Sequence, residues 1–146
     1  MEIRIANKED LASLARLAVR MWTDHMPAEL EAEFAEIMEQ GEAAFFLALD
    51  GEKPAGFAQC QLRHDYVEGT ESSPVGYLEG IYVADAYRKQ GAARMLLAAC
   101  ESWAKAQGCR EFASDCELDN TGSLAFHLSM GFEEANRIIC FTKKLK

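Results

Sequence analysis

Leu78-Glu79-Gly80-Ile81-Tyr82-Val83, a short link, and then Arg88-Lys89-Gln90-Gly91-Ala92-Ala93-Arg94 decide how this chain folds. The first six residues read as the end of an apolar strand beginning at Val75. The second group opens an amphipathic helix traced by Ala92, Met95, Leu96, Ala99, Trp103 and Ala106 and closed by Gly108. A strand therefore runs through a tight glycine turn into a helix N-terminus. Such a terminus carries unpaired N–H groups and partial positive charge. Gly91 lets a ligand approach the backbone, Ala92 and Ala93 keep the approach open, and Arg88 and Lys89 add positive charge. The natural occupant is a phosphate or pyrophosphate. An ordinary strand–turn–helix is the alternative, but the coincidence of basic and small residues favours the anion. The Gly-Lys-Ser/Thr ending of a P-loop and the dinucleotide G-x-G-x-x-G are both missing.

Working outward, the N-terminal strand ends near Ala6, and Asn7 caps a helix whose spacing runs through Leu11, Leu14, Ala15, Ala18 and Trp22. A second helix starts at Pro27 and stops at Gly41. Ala44–Leu49 and Ala55–Arg63 form a hairpin about Asp50-Gly51. A polar loop spans His64–Pro74, a short strand Arg110–Asp115 and a helix Asn120–Met130. Phe132–Ala135 and Arg137–Leu145 read as closing strands. The order βααβββαβαββ predicts one α/β domain over residues 1–146, a mixed sheet flanked by helices.

At 146 residues and 49% apolar the chain can bury a real core. No signal pattern is evident at its start, and no apolar run matches a membrane span, so a cytoplasmic protein without a membrane partner is expected. Five irregularly spaced cysteines and three scattered histidines favour neither a disulfide framework nor a zinc site. The formal net charge of −9 favours cationic ligands and disfavours nucleic acid.

R-x-x-G-x-A after a strand resembles the acetyl-CoA pyrophosphate loop of the GNAT superfamily, and the element order is similar to that fold over essentially the whole chain. Asn120 through Gly131-Phe132 resembles the next family motif. The resemblance implies that Arg88, Lys89, Gln90, Gly91, Ala92, Ala93 and Arg94 bind the pyrophosphate. It implies that the backbone of Ile81, Tyr82 and Val83 pairs with the pantetheine arm, and that Asn120 bonds that arm. His127 stands where the family often has a Tyr that protonates the leaving thiolate. Histidine can act as a general acid. Filling space or bonding acetyl-CoA are the alternatives for it.

Within the superfamily, the chain resembles aminoglycoside 6'-N-acetyltransferases at Trp22-Thr23-Asp24-His25, Arg63 to Gly69, Ser72-Ser73-Pro74, Leu78-Glu79-Gly80 and Ala113-Ser114-Asp115. This implies a sugar pocket lined by Trp22, His25, Tyr66, Glu79 and Asp115. It also implies direct acetyl transfer from acetyl-CoA to the 6'-amine, antibiotic resistance as the outcome, and a homodimer. Asn136 falls where relatives can have Glu. Glu79 is the candidate proton acceptor, through a water, with Asp115 orienting the amine and a backbone N–H near Val83 polarising the thioester. Neither a metal nor a cysteine nucleophile is needed. Bland roles stay open: Trp22 can close the core, Tyr66 can be an ordinary loop residue, and Asp115 a solvated strand end. A GNAT enzyme for another amine and a non-catalytic acyl-CoA sensor are the competing functions.

Overall fold

A computed structural model describes residues 1–146. Its single sheet has the order β1-β2-β3-β4-β5, formed by Glu2–Ile5, Ala43–Asp50, Lys53–Arg63, Val75–Val83 and Phe112–Ser114. The first four strands are antiparallel neighbours, whereas β4 and β5 run parallel. A parallel neighbour needs a crossover, and helix α3 (Ala92–Ala106) provides it. Helices α1 (Leu11–Ala18) and α2 (Pro27–Gln40) join β1 to β2, and α4 (Thr121–Ser129) follows β5.

The alternation along β2 builds two cores at once. Phe45, Leu47 and Leu49 face Leu14, Leu17, Leu30 and Phe34 of α1 and α2. Ala44, Phe46 and Ala48 share the other core with Leu96, Leu97 and Cys100 of α3. A central strand covered on both faces is apolar at every position, and β2 is buried from Ala44 to Leu49. Each fully buried Phe or Leu contributes about 1.5–3 kcal/mol.

Three local readings are corrected. Asn7 caps a 3-10 turn over Lys8–Asp10, and the α-helix begins only at Leu11. It stops at Ala18, so Trp22 lies beyond it. The helical spacing to Trp22 survives because the following turn still closes a bond from Trp22 N–H to Ala18 C=O at 2.8 Å. The closing strands do not form within this chain: residues 132–146 make no helix and no strand pairing. Their apolar pattern needs a neighbouring strand, and β5 offers only the three residues Phe112–Ser114.

Candidate active site

The site begins with a fault in the sheet. Gln59 of β3 pairs with Gly80, and Cys60 pairs with Leu78, so Glu79 has no partner of its own. Glu79 is the extra residue of a β-bulge, a device that bends a strand and re-aims a side chain. Pairing of β4 with β5 also ends here, at Leu78 and Ser114. Beyond this point Ile81, Tyr82 and Val83 remain bonded to β3 on one side only. The other edge is open, and such an edge accepts an extended ligand as an added strand.

The open edge leads to the N-terminus of α3. Gly91, at φ 84°, caps that helix in the left-handed region where glycine is unstrained. Lys89 is also left-handed, at φ 64°. Together they turn the backbone so that the first N–H groups of the helix face outward without intrahelical partners. Arg88 braces the turn: its Nε donates to Val83 C=O at 3.0 Å and its Nη1 pairs with Asp85 at 3.1 Å. Gln90 donates to Ala86 C=O at 3.4 Å. Lys89 and Arg94 are exposed.

Two carboxylates meet where the strands part. Arg63 holds Glu79 by a two-pronged ion pair, Nε at 3.0 Å and Nη2 at 2.9 Å. The same guanidinium lies 3.5 Å above the ring centre of Tyr77. Tyr77 in turn donates its hydroxyl to Asp115. Burial, then the Asp115 carboxylate, pushes the Tyr77 phenol well above its ordinary pKa, so it stays protonated and remains the donor. The bond to Glu79 likewise raises the Arg63 guanidinium.

Behind this junction, Asn120 caps α4 by accepting the Ser123 N–H at 3.1 Å, which leaves its side-chain NH2 to donate outward. His127 Nδ1 lies 2.7 Å from Ser123 C=O, and Nε2 lies 2.8 Å from the Ser114 hydroxyl. A carbonyl only accepts, so Nδ1 carries the proton. In the neutral ring Nε2 then accepts from Ser114. A cleft of about 510 Å³ passes Tyr77, Asp115 and His127 and continues along the C-terminal segment. Its walls carry Glu68, Glu117, Glu133 and Glu134 but only one cation, Arg137. Asn136 donates to Glu68 across it at 2.7 Å.

The acetyltransferase (GNAT) family model matches residues 10–132. The chain belongs to the GNAT family. An aminoglycoside N(6')-acetyltransferase type 1 from Stenotrophomonas maltophilia is 44% identical, the match covering 99% of this chain and 94% of that protein. The enzyme of the same name from Salmonella enteritidis is 40% identical over 99% of both chains. Among solved structures, AAC(6')-Iy in complex with the bisubstrate analogue CoA-S-monomethyl-acetylneamine superposes with a TM-score of 0.94. It is 40% identical, and the match covers 99% of this chain and 98% of that one.

Against this GNAT frame, the residues anticipated from sequence divide into groups. Ile81–Val83 and the Gly91 turn share one continuous edge. Glu79, Asp115 and His127 gather at its inner end. Asn136 lies on the far wall of the cleft. Trp22 closes the core, its ring meeting Phe34 and Phe57 edge-on at 6.3 and 6.1 Å, and it also lies against Gly80, the residue after Glu79. His25 and Tyr66 are exposed, and the Tyr66 hydroxyl accepts the Gly69 N–H at 3.3 Å. Sequence reasoning missed Arg63 as a site residue, along with Tyr77, Ser114 and Glu68. Tyr77 precedes Glu79 by two, so strand alternation places them on one face, and that was its signal. Arg63 and Glu68 stand within segments already noted for their resemblance. Ser114 likewise stands within Ala113-Ser114-Asp115, which was noted for the same resemblance.

Proposed function

We propose that this GNAT enzyme transfers the acetyl group of acetyl-CoA to the 6'-amine of aminoglycosides, and so confers resistance to them. The observation that carries the reading is the junction where an open β4 edge, suited to an extended thioester arm, ends beside Glu79 and Asp115, the latter on the wall of an acidic cleft. Aminoglycosides are polycations, and a cleft with Glu68, Asp115, Glu117, Glu133 and Glu134 along its walls draws them in.

Acetyl-CoA supplies the activated acetyl group. Gly91, Ala92 and Ala93 hold its pyrophosphate by main-chain N–H groups, and Lys89 and Arg94 add charge. Ile81, Tyr82 and Val83 align its arm, and Asn120 donates to it. The attacking amine must be neutral. Arg63 occupies one acceptor position on each oxygen of Glu79, and the remaining lone pairs take the amine proton through a water. Asp115 accepts from Tyr77 through Oδ2 and keeps Oδ1 for a substrate ammonium. His127 and Ser114 provide the proton that the departing thiolate needs. Bringing amine and thioester together supplies much of the rate.

The enzyme works as a homodimer. The C-terminal segment exposes Ile138, Ile139, Phe141 and Leu145 at 69, 81, 88 and 88%. It lies next in sequence after the α4 turn, and β5 ends the sheet with a free edge. A second copy of the same segment supplies the strand that each tail lacks.

Acceptor profiling with purified enzyme tests the activity. Thiol release from acetyl-CoA should follow addition of aminoglycosides, with the product acetylated at the 6' nitrogen. Preference for spermidine or a peptide amine would overturn the substrate assignment.

A further inference from the structure

Resting on the reading above, we propose that Arg63 is a positioning residue for acetyl transfer, fixing the Glu79 carboxylate in the orientation from which it serves the amine. Arg63 is the last residue of β3, paired with Val75. Its side chain runs along the sheet toward the bulge and takes both oxygens of Glu79, at 3.0 and 2.9 Å. A glutamate rotates freely about its side-chain bonds. A planar fork gripping both oxygens fixes the carboxylate plane as well as its position. Tyr77 lies beneath the guanidinium at 3.5 Å and gives the planar fork a flat face to rest on. Because Tyr77 also bonds Asp115, one cation organises both carboxylates, the first directly and the second through the phenol.

The charge argument separates positioning from binding. A pocket meant only to attract a polycation gains nothing from an arginine, which cancels one of its carboxylates. Arg63 weakens ground-state attraction, and its benefit must lie in geometry during the reaction. The pair is not sealed in the core: the Arg63 side chain is 39% exposed and the Glu79 side chain 18%, so water reaches both groups.

Arg63→Met and Arg63→Lys test this by steady-state kinetics, alongside Glu79→Gln and the double variant Arg63→Met/Glu79→Gln. The expected result for Arg63→Met is a kcat lower by about tenfold or more, with the aminoglycoside KM unchanged or reduced. The KM for acetyl-CoA should stay at the wild-type value. Arg63→Lys keeps the charge but not the planar fork and should recover part of kcat. The double variant should be no slower than Glu79→Gln alone, to within about twofold, since the two residues act as a unit. A wild-type kcat in Arg63→Met would overturn the proposal, as would a raised aminoglycoside KM at unchanged kcat or fully additive losses. Failure of the wild-type enzyme to acetylate any aminoglycoside would instead strike the functional reading, and this proposal with it.

Discussion

His127 Nε2 stands 2.8 Å from the hydroxyl of Ser114, the residue at which β5 stops pairing with β4. Ser114 also lies 3.3 Å from Leu78 C=O, so its hydroxyl sits at the inner end of the open edge. On the proposed mechanism a protonated Nε2 donates to the Ser114 hydroxyl as that hydroxyl gives its own proton to the departing thiolate. The account predicts that Ser114→Ala and His127→Phe each lower kcat by about tenfold, with the double variant no worse than either single one. The KM for acetyl-CoA should hardly move. Unchanged kcat in both would leave His127 as a packing partner of Phe126 and Phe132 only.

Gly80 is the seat of Trp22. A methyl group there would lie 2.7 Å from the Trp22 ring and 2.8 Å from the end of Met21. Met21 can move aside, but the indole is wedged against Phe34 and Phe57. Gly80→Ala should therefore cost about 1–3 kcal/mol, read as a lower Tm. The aminoglycoside KM should rise with it, because the strain falls on Gly80, the residue after Glu79. An unaltered Tm would mean that the indole has room to yield.

Asn136 donates to Glu68 at 2.7 Å. Asn136→Glu replaces a donor with a second carboxylate and makes the cleft more negative. At low salt, the KM for an aminoglycoside with many amines should fall by about fivefold, and the effect should fade as salt is added. Acceptors with fewer amines should respond less. A KM indifferent to the substitution at low salt would show that substrate ammonium groups do not pass this wall.

The C-terminal segment makes a prediction about assembly. Sedimentation should find a dimer for the wild-type chain. Ile139→Lys with Phe141→Lys should shift it toward monomer, because two charges would enter an apolar contact. A wild-type chain that sediments as a monomer at assay concentrations would refute the exchange of tails.

Much of the frame was legible because it depends on local chemistry. Gly41 and Gly91 mark helix ends that need left-handed backbone, at φ 72° and 84°, and Asp50-Gly51 marks a hairpin. The same holds for Glu79, whose carboxylate within an apolar strand demands a partner. Its partner was not legible. Arg63 lies on the neighbouring strand, and which residue meets Glu79 depends on a bulge that shifts the register by one. A shift of that kind leaves no trace in the alternation of β3 or β4. The tail failed for a related reason. Ile138, Ile139 and Phe141 announce that apolar side chains require cover, but a pattern does not say which chain supplies it. Trp22 kept its helical spacing through a turn because its N–H still reaches Ala18.

Two aminoglycosides that differ only at the 6' position, one bearing an amine and the other a hydroxyl, test the central claim most directly. With purified enzyme and acetyl-CoA, the amine should release thiol at a steady catalytic rate, and the hydroxyl analogue should bind in the cleft without turnover. Equal thiol release from both would contradict the account, since the amine that Glu79 is held to serve would then play no part.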